Sequence, residues 1–362
     1  MNLEVFNTNF ERIAICDNYE SFIWTDRYNA YGDFELYFGM DKALLDIYQP
    51  DYYLVSDESE YTMIIEDLNI TTDTETGNHL IVRGRSLESL LYRRIVWTQT
   101  ILKGNLHNAI KKLITDNVTN PKLAVRKIEN FAFIDSEDER ILNLTIDETQ
   151  FTGNILYDAI QKLCDLYNVG FKITLNADHV FEFRLYMGED RSYAQNVNPY
   201  VVFSPTFENI INSNYAEMKS GYCNVTLVAG EGEGTARKTY VVGETDSTGI
   251  IRRELYTDAR DISSTNDEQT ISTAAYNNML KNRGLSKLKE VDIQKEFEGQ
   301  VETSRLYRYG EHFGMGDITE LENEYDLETR VRVIEYIYSD STSETTEYPT
   351  FEVVEEDESN GN

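Results

Sequence analysis

Apolar and polar side chains alternate along much of this chain. Phe34, Leu36 and Phe38 fall two apart, as do Ile13 and Ile15, which is the period of a strand with one buried face. The pattern predicts short strands at Leu3 to Phe6, Arg12 to Cys16, Phe22 to Tyr28, Phe34 to Phe38, Tyr52 to Ser56, Met63 to Ile70 and Leu80 to Val82. Turn signals at Tyr31-Gly32-Asp33 and Thr76-Gly77-Asn78 separate them at the spacing of an antiparallel barrel or sandwich.

The period then changes. In NLHNAIKKLITDN, Leu106, Ala109, Ile110, Leu113 and Ile114 line one helical face, with Lys111, Lys112 and His107 on the polar side. GNILYDAIQKLCDLY repeats the pattern with Leu156, Ala159, Ile160, Leu163 and Tyr167, and Asn168 and Gly170 supply stop signals. FKITLNADHVFEFRLY reads as a hairpin that turns at Asn176 to His179.

Strands resume at Tyr200, with GEGEG (Gly230 to Gly234) as a hairpin tip, and a third helix is predicted from Glu268 to Arg283, ending at Gly284. KLKEVDIQKEF is strand-like. The last long stretch, Gly314 to Asp340, contains RVRVIEYIY. There Val331 and Val333 share one phase, while Ile334, Tyr336 and Tyr338 share the other. Such a shift marks a β-bulge, or a strand whose far end is buried on its other face.

The order suggests one plan used twice in an α+β, mainly β chain of 362 residues, long enough for several cores. It predicts a first barrel over 1–98, a module of two helices and a hairpin over 99–188, a second barrel over 189–260 and 298–345, an inserted helix-strand module over 261–297, and an acidic tail over 346–362.

Charge adds a constraint. There are 64 acidic and 33 basic residues, a net charge of -31, and neither Lys nor Arg follows Arg332. Such a surface repels nucleic acid and anionic membranes, because phosphate binding relies on Lys and Arg displacing counterions. It suits either solubility alone or a wall past which DNA slides without sticking. No run of 18 apolar residues occurs and the start lacks a basic and apolar leader pattern, so a soluble, unsecreted product is expected. The three cysteines, Cys16, Cys164 and Cys223, are far apart, each in an apolar or strand-like context, and read as buried free thiols.

Chemistry is hard to place. His79, His107, His179 and His312 sit in no HExxH or CxxC context, and GxSxG, GxxxxGK[ST] and a strand-to-helix GxGxxG are missing from the sequence. EGEGT lacks a lysine, and the acidic loop Asp135 to Glu139 lacks the spacing of a calcium loop. The reading is therefore no catalytic, cofactor-binding or metal-ligating residue, no cofactor, and no enzyme.

Three stretches carry a resemblance. YGDFEL (Tyr31 to Leu36), MIIEDL (Met63 to Leu68) and LIVRGRSLESLLYRRIV (Leu80 to Val96) resemble the first barrel of bacteriophage tail hub proteins of the siphophage type, which overlap with prophage endopeptidase tail proteins. LYMGEDRSYAQNVNPYVVFSPTFENI resembles that family's connection between modules, and GMGDITELENEYDLETRVRVIEYIY resembles its closing hairpin.

The resemblance implies two small tube-forming antiparallel barrels per chain, each with a peripheral helix-plus-strand module, assembling as a homotrimer into a pseudo-sixfold ring. The implied partners are the hexameric tail tube, the distal tail protein, the tape measure protein, and tip, fibre or spike proteins, in a virion tail assembled in the host cytoplasm. Genomic DNA would pass through during ejection without specific binding. The motif positions are Gly32, Asp33, Gly84 and Arg85 in the first barrel, Asp190, Arg191 and Ser192 in the connection, and Gly314, Gly316 and Asp317 at the closing hairpin. The two late glycines are expected to allow a tight or positive-φ approach, and the polar residues to knit modules together.

Family members often continue into a peptidase, lysozyme or carbohydrate-binding extension, whereas this sequence ends after YPTFEVVEEDESNGN, which favours a purely structural hub. The rival readings are a hub-fold cell-wall hydrolase, a carbohydrate-binding tail adhesin whose many tyrosines stack on sugars, and the spike-bearing hub of a contractile tail or related injection particle.

Overall fold

The computed structural model describes residues 2–75, 77–266, 269–301, 306–325 and 328–354. Thr76 of the expected turn, Glu268 at the expected start of the third helix, and 355–362 of the acidic tail lie outside the described residues. The chain is α+β and mainly β. It divides into two compact units, one of Met1–Ser89, Gly170–Tyr215 and Glu296–Asn362, the other of Leu90–Val169 and Ala216–Lys295.

In the first unit seven early strands lie where the pattern places them: β1 (Leu3–Phe6), β2 (Arg12–Cys16), β3 (Ser21–Arg27), β4 (Asp33–Gly39), β5 (Tyr53–Ser56), β6 (Thr62–Asp73) and β7 (Gly77–Ser86). Their ladder runs β2, β1, β5, β6, β7, β4, β3 and continues from β3 into the strand Glu328–Ser341 and then Thr345–Val353, as part of one 13-stranded sheet. Phe22, Trp24, Phe34, Leu36, Phe38, Met63, Leu80 and Val82 bury one face as a core. The exception is β2, at the end of this ladder, where Ile13 and Ile15 face outward and Cys16 is the buried residue.

A second core gathers Tyr28, Phe203, Phe313, Met315, Leu321, Val331, Val333 and Tyr336. The strand Glu328–Ser341 serves both cores. Its first part pairs with Ile318–Glu322, and its later part, from Glu335 on, pairs with β3. Against Thr345–Val353 the register slips between Val333 and Glu335, leaving Ile334 as the extra residue. That one-residue bulge resets the alternation, so Val331 and Val333 before it and Tyr336 and Tyr338 after it are all buried. The hairpin Gly170–Leu175 with Phe181–Tyr186 completes this unit, with His179 at positive φ in its turn.

The second unit carries the long helices. Leu106–Ile114 buries Leu106, Ala109, Ile110, Leu113 and Ile114, and Asn105 caps it by accepting from the Asn108 amide at 3.0 Å. His107 is buried rather than on a wet face, because its Nε2 accepts from the Ser136 amide at 3.1 Å. Leu156–Leu166 buries Leu156, Ala159, Ile160 and Leu163.

The third helix is longer than its stop signal predicts. It spans Thr273–Glu290 and passes through Gly284, which is a packing position and not a cap. A Cβ there would lie 2.7 Å from Val242 and 2.8 Å from Val228, so glycine is what lets the helix settle on the sheet beneath it. In that sheet Val225–Ala229 lies between antiparallel Thr239–Gly243 and parallel Glu254–Asp258. KLKEVDIQKEF is accordingly split: Lys287 to Glu290 finish the helix, and the strand begins at Gln294. The three cysteines are free, and Cys223 is only partly buried. Among the described residues no helix is long and apolar enough to cross a membrane.

Candidate functional site: a charged join in the first unit

The motif residues collect at two places in the first unit. At the earlier one, β4 lies between β3 and β7, with Asp33 opposite Arg85 and Phe34 opposite Gly84. A Cβ on Gly84 would lie 1.8 Å from the Ile64 carbonyl oxygen, and one on Gly32 would lie 2.2 Å from that of Thr25, so both sites need a bare backbone. Gly32 N–H donates to Ser86 Oγ at 2.7 Å, and the Ser86 amide donates back to the Gly32 carbonyl at 2.9 Å. Arg85 grips Glu66 through Nε at 2.6 Å and Nη2 at 2.9 Å, and its guanidinium stands 5.0 Å from the Tyr31 ring centre. Asp33 is 3.1 Å from Arg27, which also bonds Glu335 of the long strand at 2.5 Å.

At the later place the chain after the hairpin crosses the entry to the closing strands. Asp190 bridges in parallel to Ile318, and Val202–Phe203 pairs in parallel with Glu320–Leu321. Asp317, nearly fully buried, is the node. Its Oδ1 accepts from the Glu189 amide at 2.7 Å, and its Oδ2 from Arg191 Nε at 2.7 Å and the Gly314 amide at 2.9 Å. Three donors, one of them a guanidinium, offset the cost of burying this carboxylate.

Asp190 folds onto its own turn by accepting from the Ser192 amide at 2.9 Å and Ser192 Oγ at 2.7 Å. From the closing strand Arg330 then donates to Asp190 Oδ2 at 2.9 Å and to Ser192 Oγ at 3.1 Å. Glu320 accepts from the Tyr193 amide at 3.1 Å, and burial raises its carboxyl above the usual range.

Gly316 has φ +86°, and a Cβ on it would sit 2.2 Å from the Tyr28 ring. Its carbonyl accepts from Arg332 at 3.1 Å, and the Arg332 guanidinium stands 5.3 Å from the same ring. Gly188 packs backbone to backbone here, since its Cβ would fall 2.0 Å from Gly316 C. Gly314 is different: φ there is not positive and a Cβ would meet nothing within 4 Å, so the conformational demand falls on Gly316 alone.

The structure thus brings Asp190, Arg191, Ser192, Gly314, Gly316 and Asp317 together, and separately Gly32, Asp33, Gly84 and Arg85. It adds Tyr28, Gly188, Glu320, Arg330, Arg332 and Glu335, which sequence reasoning passed over. The one signal for them is Arg330 and Arg332 recurring two apart inside an apolar strand. Two further buried acids lie in this unit. Asp26 accepts from Trp24 Nε1 at 2.7 Å and Ser59 Oγ at 3.1 Å, and Glu88 accepts from Ser86 Oγ and from the Ile173 amide at 2.6 Å. Burial outweighs these donors and pushes each carboxyl up to about 7.

Chemically these arrangements hold backbones together. The join carboxylates are engaged by Arg side chains and turn amides, and Asp26 and Glu88 are closed off from solvent. Among the described residues no group of His, Cys, Asp and Glu could hold a metal ion.

The fold is similar to that of three solved tail proteins. The tail protein from Neisseria meningitidis MC58 shares 14% identity at TM-score 0.57, over 98% of this chain and 96% of that one. A 43 kDa tail protein of prophage MuSo2 from Shewanella oneidensis shares 10% at 0.54, over 98% of each chain. Prophage tail protein gp18 from Listeria monocytogenes EGD-e shares 12% at 0.52, over 97% and 94%. No curated protein matches the sequence. A family model does match, over residues 2–349 and so across both units, and the chain belongs to the family described as Siphovirus ReqiPepy6 Gp37-like protein.

Proposed function

We propose that this chain is the structural hub of a phage tail tip or baseplate. Three copies form a pseudo-sixfold ring, each giving two small tube-forming barrels with a helix-plus-strand module at the periphery of each. The ring joins the hexameric tail tube and the distal tail protein to tip, fibre or spike proteins, meets the tape measure protein, and forms part of the channel through which DNA is ejected. It sits in the virion tail and carries no catalytic activity of its own.

The observation that carries this reading is the strand Glu328–Ser341. One strand lies in two successive cores, passing from Ile318–Glu322 to β3 through the bulge at Ile334, and charged joins brace it at Arg27–Glu335 and Arg330–Asp190. Two cores that share one continuous strand are held together as a single wall segment, which is what a ring must have to transmit load. The net charge of -31 supports the channel, since a negative lumen does not retain passing phosphates.

Gold-labelled antibody against the chain tests the assignment on intact particles. Label confined to the tip end of the tail is the expected result. Label along the tube or on the head removes the hub reading, and cell-wall cleavage in a zymogram of the purified chain removes its non-enzymatic part.

A further inference from the structure

The second unit holds a charge inversion. Between Leu90 and Ile128 the sequence carries eight basic residues, Arg93, Arg94, Lys103, Lys111, Lys112, Lys122, Arg126 and Lys127, and one acid, Asp116, in a chain of net charge -31. Lys111, Lys112 and Lys127 are paired with Asp135, Asp116 and Glu129. Arg94, Lys103, Lys122 and Arg126 form no ion pair with a carboxylate among the described residues.

The two arginines instead build a platform. Arg94 Nε donates to the Arg126 carbonyl at 2.7 Å, and Arg126 Nη2 donates to the Ile95 carbonyl at 2.7 Å. The Arg126 guanidinium lies 4.7 Å from the Trp97 ring centre, and Ile95 bridges to Ile155. Around them apolar side chains stand open: Val125 is 93% exposed and Trp97 53%, with Leu123, Ile95 and Ile155 also exposed. Burial, then the neighbouring guanidiniums of Arg126 and Arg93, hold Arg94 below its ordinary range.

We infer that this island of arginines and apolar side chains is where a second copy of the chain docks through one of its acidic faces. The inference rests on the ring reading above and adds to it the surface that makes the contact. Charge complementarity selects the occupant, because a molecule this acidic repels its own copies everywhere except at a patch of opposite sign. Aromatic and Arg side chains surrounded by aliphatic ones are the composition of an interface core. Nucleic acid is the other polyanion to weigh. Its phosphates would engage the guanidiniums but leave Val125, Leu123, Ile95 and Ile155 uncovered, whereas a protein face buries them.

Native mass spectrometry of the full chain as wild type, Val125→Ala and Val125→Glu tests this, with a labelled 20-nucleotide single-stranded DNA as a second probe. Val125 is almost wholly exposed, so both variants keep the fold, which circular dichroism checks. The expected result is a wild-type trimer, little change for Val125→Ala, and an assembly dissociation constant raised about tenfold or more for Val125→Glu. A Val125→Glu chain that still assembles like wild type overturns the inference and leaves the ring standing. A wild type that stays monomeric overturns both. DNA binding that Val125→Glu abolishes, with assembly unchanged, makes the island a nucleic-acid surface and overturns the docking of a second copy.

Discussion

Asp317 and the pair Asp26 and Glu88 are all buried carboxyls of the first unit, yet they are held in opposite ways. Asp317 faces the Arg191 guanidinium and two backbone amides, at a point where the connection after the hairpin crosses the closing strands. Among the described residues Asp26 and Glu88 have no guanidinium bonded to them: their donors are an indole, two hydroxyls and backbone amides, and burial pushes both up to about 7. A buried acid matched by a guanidinium acts as a rivet between chain segments. One matched by neutral donors makes stability depend on protons.

The contrast can be broken from either side, most strongly at the rivet. Asp317→Ala leaves Arg191 and two amides without their acceptor and is expected to cost about 3–5 kcal/mol in denaturant unfolding. A loss under about 1 kcal/mol would show that the join is decoration. Next comes the backbone beside it. Gly316→Ala forces a methyl toward the Tyr28 ring at positive φ and is expected to cost about 2–3 kcal/mol, read from the same unfolding curves.

The proton-sensitive pair gives a smaller effect with a definite sign. Both folded-state values lie above the ordinary carboxyl range, so between about pH 4 and 7 the folded chain binds more protons than the unfolded one. Stability from these groups therefore falls as pH rises through that window and levels off above it. Glu88→Gln alone is expected to remove roughly half of this decline, a gain on the order of 2 kcal/mol at pH 8 relative to pH 5, measured by melts at the two values. A wild type whose stability rises across the window contradicts the assignment. The smallest effect is the control: Gly314→Ala has open space and ordinary φ, and is expected to stay within about 0.5 kcal/mol of wild type.

The residues explain what could be read in advance and what could not. Strands such as Phe34, Leu36, Phe38 and the faces of the first two helices are written in local periodicity, and so is the reset at Ile334, because a bulge must shift the alternation. Gly284 misled because glycine ends a helix as often as it lets one pack closely, and the deciding neighbours, Val228 and Val242, are far away in sequence. Ile13 and Ile15 alternate correctly yet face outward, since alternation fixes two faces without saying which is buried. The charged join was legible as residue types at turns. Its pairings, Asp190 with Arg330 and Asp317 with Arg191, span more than a hundred residues each and leave no local trace.

The ring is the centre of this account, and averaged electron images of the purified particle test it most directly by counting copies of the chain in the layer below the tail tube. Three copies around a pseudo-sixfold channel, with Asp and Glu outnumbering Lys and Arg on the channel face, is the predicted result. A single copy, a ring of six, or a channel face dominated by Lys and Arg would contradict it.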